Sequence, residues 1–215
     1  MTTFNMLRDL RTNYQKSELG EDSINSDPFE QLKEWLKSAI EEGDSEPTAM
    51  VLSTVDLKGH PDSRVVLLKE INSGGLIFFT NYNSEKGKQI SENGYVSVVF
   101  FWAKAERQVR VKGIAERISE ADSQTYFLSR PLESQLGAWA SPQSETIGSR
   151  KVLDDNYAHC KQYFESHEIT KPPHWGGFLI RPEYFEFWQG RKNRLHDRLA
   201  YNLTGEKWII QRLAP

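Results

Sequence analysis

Cysteine is nearly absent: Cys160 stands alone among 215 residues. A single thiol excludes an internal disulfide and any zinc site built on cysteines. Histidine numbers only 5, and no group of histidines and carboxylates shows metal-ligand spacing, so no metal is expected. Positive charge is not in surplus either. Lysine and arginine total 27 against 30 aspartates and glutamates, a formal net charge of -3 with a pI near 6.0. That balance argues against a general nucleic-acid binder, whose phosphate affinity rests on positive surface. No apolar run is long enough to span a bilayer, and Met1 to Asp9 lacks the apolar core of a signal peptide. A cytoplasmic protein with no membrane partner is the expectation. Repeats and low-complexity linkers are missing too, so one domain is expected over 26–215, preceded by a mobile arm at 1–25 with a short helical piece around Met6 to Tyr14.

Aromatic residues are plentiful. They make up 12% of the chain, with 6 tryptophans and 11 phenylalanines, inside a hydrophobic fraction of 38%. Such richness suits a β-rich core or pockets that bind rings. A cap at Ser26-Asp27 followed by Pro28 opens a helix; Phe29, Leu32, Leu36, Ala39 and Ile40 recur at helical spacing and Gly43 ends it. From Thr48 the period changes. Strands are expected at 49–55, 63–70, 75–80, 95–102, 108–118, 176–180, 184–188 and 207–213. Helices are expected at 84–93, 119–129 (opened by a Ser119 capping box) and near 148–166, the last with Val152, Leu153, Tyr157, Cys160 and Phe164 on one face. Short strands with helices at ends and crossovers predict a β-rich α+β fold, a closed or split β-barrel with peripheral helices.

Four stretches hold candidate chemistry. Phe187 to Arg198 gathers three arginines, a lysine, a histidine and a tryptophan beside Gly190. Planar cations and rings in one run suit a flat anionic ligand, and they equally suit a basic loop after an edge strand. In Ser63 to Lys69, strand alternation puts Arg64, Val66 and Leu68 on one face and Val65, Leu67 and Lys69 on the other. Its two cations could serve two anions, or could lie at strand ends in water. Thr80 to Lys88 is a strand end feeding a helix start, where free amides, Ser84 and Lys86 would hold a phosphate. On spacing alone, Ser84 reads first as an N-cap. Finally, Tyr126 and Arg130 stand four apart on one helical face and Ser134 follows Pro131, a plausible phosphate clamp, with Gln143-Ser144 available as further donors.

Taken together, Arg64 to Lys69, Glu106 to Val109, Ser129 to Pro131, Ser134 to Trp139, Phe187 to Gly190 and Arg194 to Arg198 occur in the order found in one family. The chain resembles the pyridoxine/pyridoxamine 5'-phosphate oxidases, from about Arg11 to the terminal Pro215. The resemblance implies a split FMN-binding barrel working as a homodimer, with FMN at the subunit interface. It implies oxidation of pyridoxamine 5'-phosphate and pyridoxine 5'-phosphate to pyridoxal 5'-phosphate, with O2 reoxidising the flavin. Carried residue by residue, it assigns Arg64 and Lys86 to the FMN phosphate, helped by Phe79 and Thr80. Val65, Val66, Leu67, Leu68 and Lys69 complete that strand's contacts with the cofactor. Gln108, Gln143, Ser144, Trp188 and Arg198 would adjoin the flavin. Lys69, Tyr126, Arg130 and Ser134 would hold the substrate phosphate. Arg194 and His196, the expected catalytic pair, would cover the pyridine ring with Leu195 beside them, and Arg11 to Tyr14 would form a lid. One position departs from the pattern. Where relatives often carry arginine after the serine matching Ser84, this chain has Glu85, which is expected to face solvent. A related flavin reductase, a non-catalytic carrier of pyridoxal phosphate or flavin, and a nucleic-acid-binding barrel are the competing readings.

Overall fold

The polar-apolar alternation that begins at Thr48 is realised as strands throughout the computed structural model, which describes residues 13–215. Arg11 and the greater part of the piece expected around Met6 to Tyr14 lie outside the described residues. In chain order the elements are α1 (Pro28–Glu41), β1 (Ala49–Val55), β2 (Pro61–Leu67), β3 (Glu70–Asn72), β4 (Gly75–Asn81), α2 (Glu85–Glu92), β5 (Tyr95–Trp102), β6 (Arg107–Arg117), α3 (Glu120–Ser129), α4 (Leu132–Ala140), α5 (Arg150–Phe164), β7 (Trp175–Gln189), β8 (Asp197–Thr204) and β9 (Lys207–Arg212). None of the helices among the described residues is long and apolar enough to cross a membrane.

The described chain forms two compact units, one from residues 13–48, 99–111 and 183–215, the other from 49–98 and 112–182. The second holds β1 to β4 and parts of β5, β6 and β7, in the strand order β2-β1-β5-β6-β7-β4-β3, which leaves β2 at an edge. β1 and β2 pair antiparallel from Ala49↔Leu67 to Val55↔Pro61, and β4 pairs with β7 from Leu76↔Ile180 to Asn81↔Trp175. The core there is Met50, Leu52, Leu76, Phe78, Val98, Phe127 and Phe178, all buried; Phe78 stacks on its register partner Phe178 at 5.7 Å. In the first unit α1 buries Leu32, Trp35 and Ala39, and its rings meet β7 edge-on, Phe29 against Phe185 at 5.3 Å and Trp35 against Phe187 at 5.2 Å. β8 pairs with β7 from Tyr184↔Asn202 to Gln189↔Asp197, and β9 pairs with β8.

Local signals account for the helix starts. Asp27 caps α1 by accepting from the Phe29 amide, with Pro28 in the first turn; Ser84 and Ser119 cap α2 and α3 through Gly87 and Asp122. Four expectations are corrected. The segments read as strands at 176–180 and 184–188 are one strand, β7. Pro182 falls between the ladder that β7 makes with β4 and the one it makes with β8, so neither ladder needs its missing N–H. The single strand expected at 63–70 divides into β2 and β3, because Leu68 and Lys69 leave the ladder. α4 was not anticipated, since Pro131 reads as a break but serves as the N-cap residue. β8 was hidden by its charged beginning, Asp197-Arg198. On α5, Leu153, Tyr157, Cys160 and Phe164 are half-buried as expected, while Val152 is exposed.

Candidate functional site

In the second unit β4 runs directly into the start of α2, and this junction forms one end of a cavity of about 960 Å³. Lys86 sits there only 8% exposed. Its Nζ has Thr80 Oγ1 at 3.3 Å, Ser84 Oγ at 3.4 Å and Gln143 Oε1 at 3.4 Å, all neutral and all long. Burial lowers its pKa, and the nearby Arg64 charge lowers it further. Arg64 reaches the same end from β2. It donates to Thr54 Oγ1 at 2.6 Å and Gln89 Oε1 at 3.3 Å and pairs with Asp62. Two partly desolvated cations beside a helix N-terminus make an anion cradle. Glu85 is exposed as expected, but it lies on the cavity wall and accepts from Gln89 Nε2 at 3.3 Å.

The other end is built at the junction of α3 and α4. Phe79 and Tyr126 stack at 3.8 Å, and Trp175 lies nearly parallel to Phe79 at 5.4 Å. Two glycines follow Trp175: a Cβ on Gly177 would stand 2.9 Å from Cε1 of Phe79 in this stack, and one on Gly176 would stand 2.0 Å from the Tyr82 hydroxyl. The Arg130 guanidinium lies over the Trp175 ring, 4.6 Å from its centre. Arg130 Nη1 is buried and has no hydrogen-bond partner among the described residues, and burial depresses the guanidinium's pKa. An unpaired buried donor is costly unless a ligand supplies the acceptor. Burial pushes the Tyr126 hydroxyl pKa upward, keeping it a donor, and Ser134 lines the wall beside it. The cavity therefore has two cationic poles, one at Arg64 and Lys86 and one at Arg130.

The first unit holds a cluster of rings. Trp188 and His196 lie 4.7 Å apart, and Tyr14 meets both edge-on at 5.6 and 5.7 Å. His196 Nδ1 accepts from the Arg191 amide at 3.0 Å. Burial lowers the imidazole pKa and the Arg194 charge lowers it further, with Asp197 opposing. Arg194 and Leu195 are exposed, on a turn where Asn193 and Arg194 adopt left-handed φ of 59° and 62°. Arg198 is fixed by Glu186, whose buried carboxylate lies 3.0 Å from it and 2.9 Å from Arg110 and accepts from the Tyr184 hydroxyl at 2.8 Å.

The sequence-predicted residues thus fall into two groups. Arg64, Val65, Val66, Leu67, Lys69, Phe79, Thr80, Lys86, Tyr126, Arg130, Ser134, Gln143 and Ser144 line one cavity in the second unit. Tyr14, Gln108, Trp188, Arg194, Leu195, His196 and Arg198 belong to the first. Leu68 is packed in the core, away from the cavity lining. Sequence reasoning missed Trp175, Asp62 and Glu186. The Trp175-Gly176-Gly177 run, a large ring beside two residues without side chains, was a usable signal for the first.

Comparison with known proteins bears on these groups. The sequence model described as pyridoxamine 5'-phosphate oxidase matches residues 32–164, and one described as the pyridoxine 5'-phosphate oxidase C-terminal dimerisation region matches 175–215. The chain is 51% identical to the pyridoxine/pyridoxamine 5'-phosphate oxidase of Synechocystis sp. (97% of this chain, 98% of that one) and 47% identical to that of Actinobacillus pleuropneumoniae (97% and 99%). Among solved structures it is similar to PhzG from Burkholderia lata 383 in complex with tetrahydrophenazine-1-carboxylic acid, with a TM-score of 0.86 and 30% identity over 92% of this chain and 98% of that one. A pyridoxamine 5'-phosphate oxidase-related, FMN binding protein from Nostoc punctiforme shares the fold at a TM-score of 0.68 and 16% identity, over 85% of this chain and 97% of that one. The fold is the sheet-rich split barrel expected from the sequence. By near-full-length identity and by both sequence models, the chain belongs to the pyridoxamine 5'-phosphate oxidase family.

Proposed function

We propose that this chain oxidises pyridoxamine 5'-phosphate and pyridoxine 5'-phosphate to pyridoxal 5'-phosphate, using FMN and O2 and releasing H2O2, and ammonia from the amine. The observation that carries the reading is the pair of cationic poles in one cavity, at one of which a buried guanidinium nitrogen lacks a partner among the described residues. The residues present fit a phosphorylated flavin and a phosphorylated substrate. Arg64 and Lys86, with Thr80 and the α2 amides, hold the FMN phosphate; Arg130, Tyr126, Ser134 and Lys69 hold that of the substrate. When bound, FMN supplies a two-electron acceptor that takes a hydride from substrate C4′ and passes the electrons to O2.

The protein's own work is to bind and align. Anchoring a remote phosphate fixes the position of the carbon that reacts, and this binding energy is used in the transition state. Gln108, Trp188 and Arg198 serve the flavin, with Arg198 held by Glu186. Arg194 and His196 cover the pyridine ring; the hydrogen bond that Nδ1 accepts from the Arg191 amide leaves the proton of the neutral imidazole on Nε2. A homodimer is part of the proposal. The match of 175–215 to a dimerisation region supports it. So does edge strand β2, where Val65 and Leu67 are apolar, exposed and yet on the cavity wall, as expected where a second copy completes the site.

The test is an absorbance spectrum of the purified protein followed by a peroxide assay with both substrates. A yellow protein that forms peroxide with either one supports the reading. A protein that binds flavin or pyridoxal phosphate without turnover is a carrier, and the proposal falls.

A further inference from the structure

Glu106 closes the turn between β5 and β6 with a left-handed backbone (φ 55°) and a side chain shielded from water. Neither feature is needed to join two strands; glycine or asparagine makes such a turn without strain, and a buried carboxylate costs solvation. Its hydrogen bonds give it another purpose. The carboxylate Oε2 accepts from the amides of Gln15 at 2.8 Å and Lys16 at 3.0 Å, and Lys16 Nζ reaches the Lys104 carbonyl of the same turn. The main-chain carbonyl of Glu106 accepts from the Gly190 amide at 2.8 Å and from Gln189 Nε2 at 3.2 Å. One residue therefore grips two segments, the N-terminal stretch through its side chain and the end of β7 through its backbone.

Between those grips sits Tyr14. Its ring packs so closely over Gly190 that a Cβ there would lie 2.6 Å from Tyr14 Cγ, and it contacts Trp188 and His196 edge-on. We propose that Glu106 is a positioning residue that seats Tyr14 in the Gly190 notch, against Trp188 and His196. The inference rests on the oxidase reading only in treating Tyr14 and His196 as substrate-facing groups; the seating itself is independent of it. Two charge-assisted bonds to successive amides fix the direction in which the chain leaves residue 15, and so the place of the ring just before it.

The test uses the full-length, FMN-loaded protein with Glu106→Asn, Glu106→Gln, Tyr14→Ala and the double variant Glu106→Asn/Tyr14→Ala. Asparagine tolerates the left-handed backbone but is one methylene too short to reach the amides, whereas glutamine keeps an acceptor at the same reach. Cleavage of the Lys16–Ser17 bond by trypsin is followed together with KM and kcat for pyridoxamine 5'-phosphate. Glu106→Asn is expected to speed cleavage and raise KM, each about tenfold, with Glu106→Gln close to wild type in both. The double variant should have a KM no higher than Tyr14→Ala alone, because both changes remove the same ring. Unchanged cleavage in Glu106→Asn, or KM effects that multiply in the double variant, would overturn the proposal. Absent turnover in the wild-type protein would instead refute the oxidase reading, and the cleavage rates would still decide whether Glu106 seats the segment.

Discussion

Replacing Arg130 with alanine separates binding from architecture. In the free protein the guanidinium contributes a cation–π contact to Trp175 at 4.6 Å, worth about 0.5–2 kcal/mol. Against this stands Nη1, buried with no partner, a desolvation cost of about 1–3 kcal/mol. The two nearly cancel, so Arg130→Ala should change the unfolding free energy of the ligand-free protein by no more than about 1 kcal/mol. Binding has no such compensation. A phosphate that satisfies Nη1 loses a charge-assisted donor in the variant, about 1.5–3 kcal/mol, which is about 10- to 100-fold in KM for pyridoxamine 5'-phosphate. Lysine at this position should restore only part of the loss, because an ammonium keeps the charge without the planar stack on Trp175. The assays are urea unfolding without ligand, steady-state KM, and the flavin absorbance per chain, which should stay unchanged. A variant destabilised by about 3 kcal/mol or more with unaltered KM would show that Arg130 serves the ring stack and not a ligand.

At the other pole, Lys86→Met should lower FMN affinity by about tenfold or more without destabilising the ligand-free fold, as read by flavin titration and thermal unfolding. Glu186→Gln leaves Arg110 and Arg198 facing a neutral amide and should cost about 3–5 kcal/mol at pH 7. Burial alone would raise the Glu186 pKa, but Arg198, Tyr184 and Arg110 together hold it below the ordinary 4.5. Its stabilisation is thus fully present above pH 4.5 and lost as pH falls through the lower folded value. The gap between wild type and variant should close on acidification, and a gap constant from pH 7 to 3 would contradict this assignment. For His196, whose pKa is lowered from 6.5 by burial and by Arg194, kcat/KM should fall only below pH 6.5. The acid limb should vanish in His196→Asn and move upward in Arg194→Ala, which removes a repelling charge; a limb indifferent to both variants would exclude titration of this imidazole.

The sequence made the strands and most helices legible because their signals are local. The Asp27-Pro28 cap, the Ser84 and Ser119 caps, and the apolar runs at 49–55 and 95–102 each act over a few residues, and each element formed within one or two positions of its expected bounds. β8 was obscured because it opens with Asp197-Arg198, charges whose partners Glu186 and Arg212 are distant in sequence. α4 was obscured because Pro131 both ends one helix and begins the next. The cations of the site could be named from the family's motifs, but not their state. That Arg130 has an unpaired nitrogen and Arg198 a buried carboxylate partner depends on contacts with no sequence spacing. Glu106 lay in a quoted motif and drew no role, since its partners at residues 15 and 16 are about 90 positions away.

Two buried lysines show how geometry sorts such residues. Lys171 has a fully buried side chain, and its ammonium donates to the carbonyls of Trp175 at 2.7 Å and Pro172 at 3.0 Å and pairs with Glu120 at 2.9 Å. Three donors meet three acceptors, one of them charged, so the free protein already compensates the desolvation. Lys171 is the anchor of the turn that presents Trp175 to Phe79 and Arg130. Lys86 is nearly as buried, but its three neighbours are neutral, lie at 3.3–3.4 Å, and share the space with a second cation, Arg64. Asp62 offsets that charge only in part, against burial and Arg64 as the larger influences, so a desolvation cost remains that an anion would relieve. By this criterion Lys171 is structural and Lys86 is the one suited to the proposed phosphate, although composition counts both as one positive charge in a chain of net charge -3. The proposed phosphate sites thus rest on where a few poorly compensated cations sit, and a net negative charge on the whole chain does not oppose them.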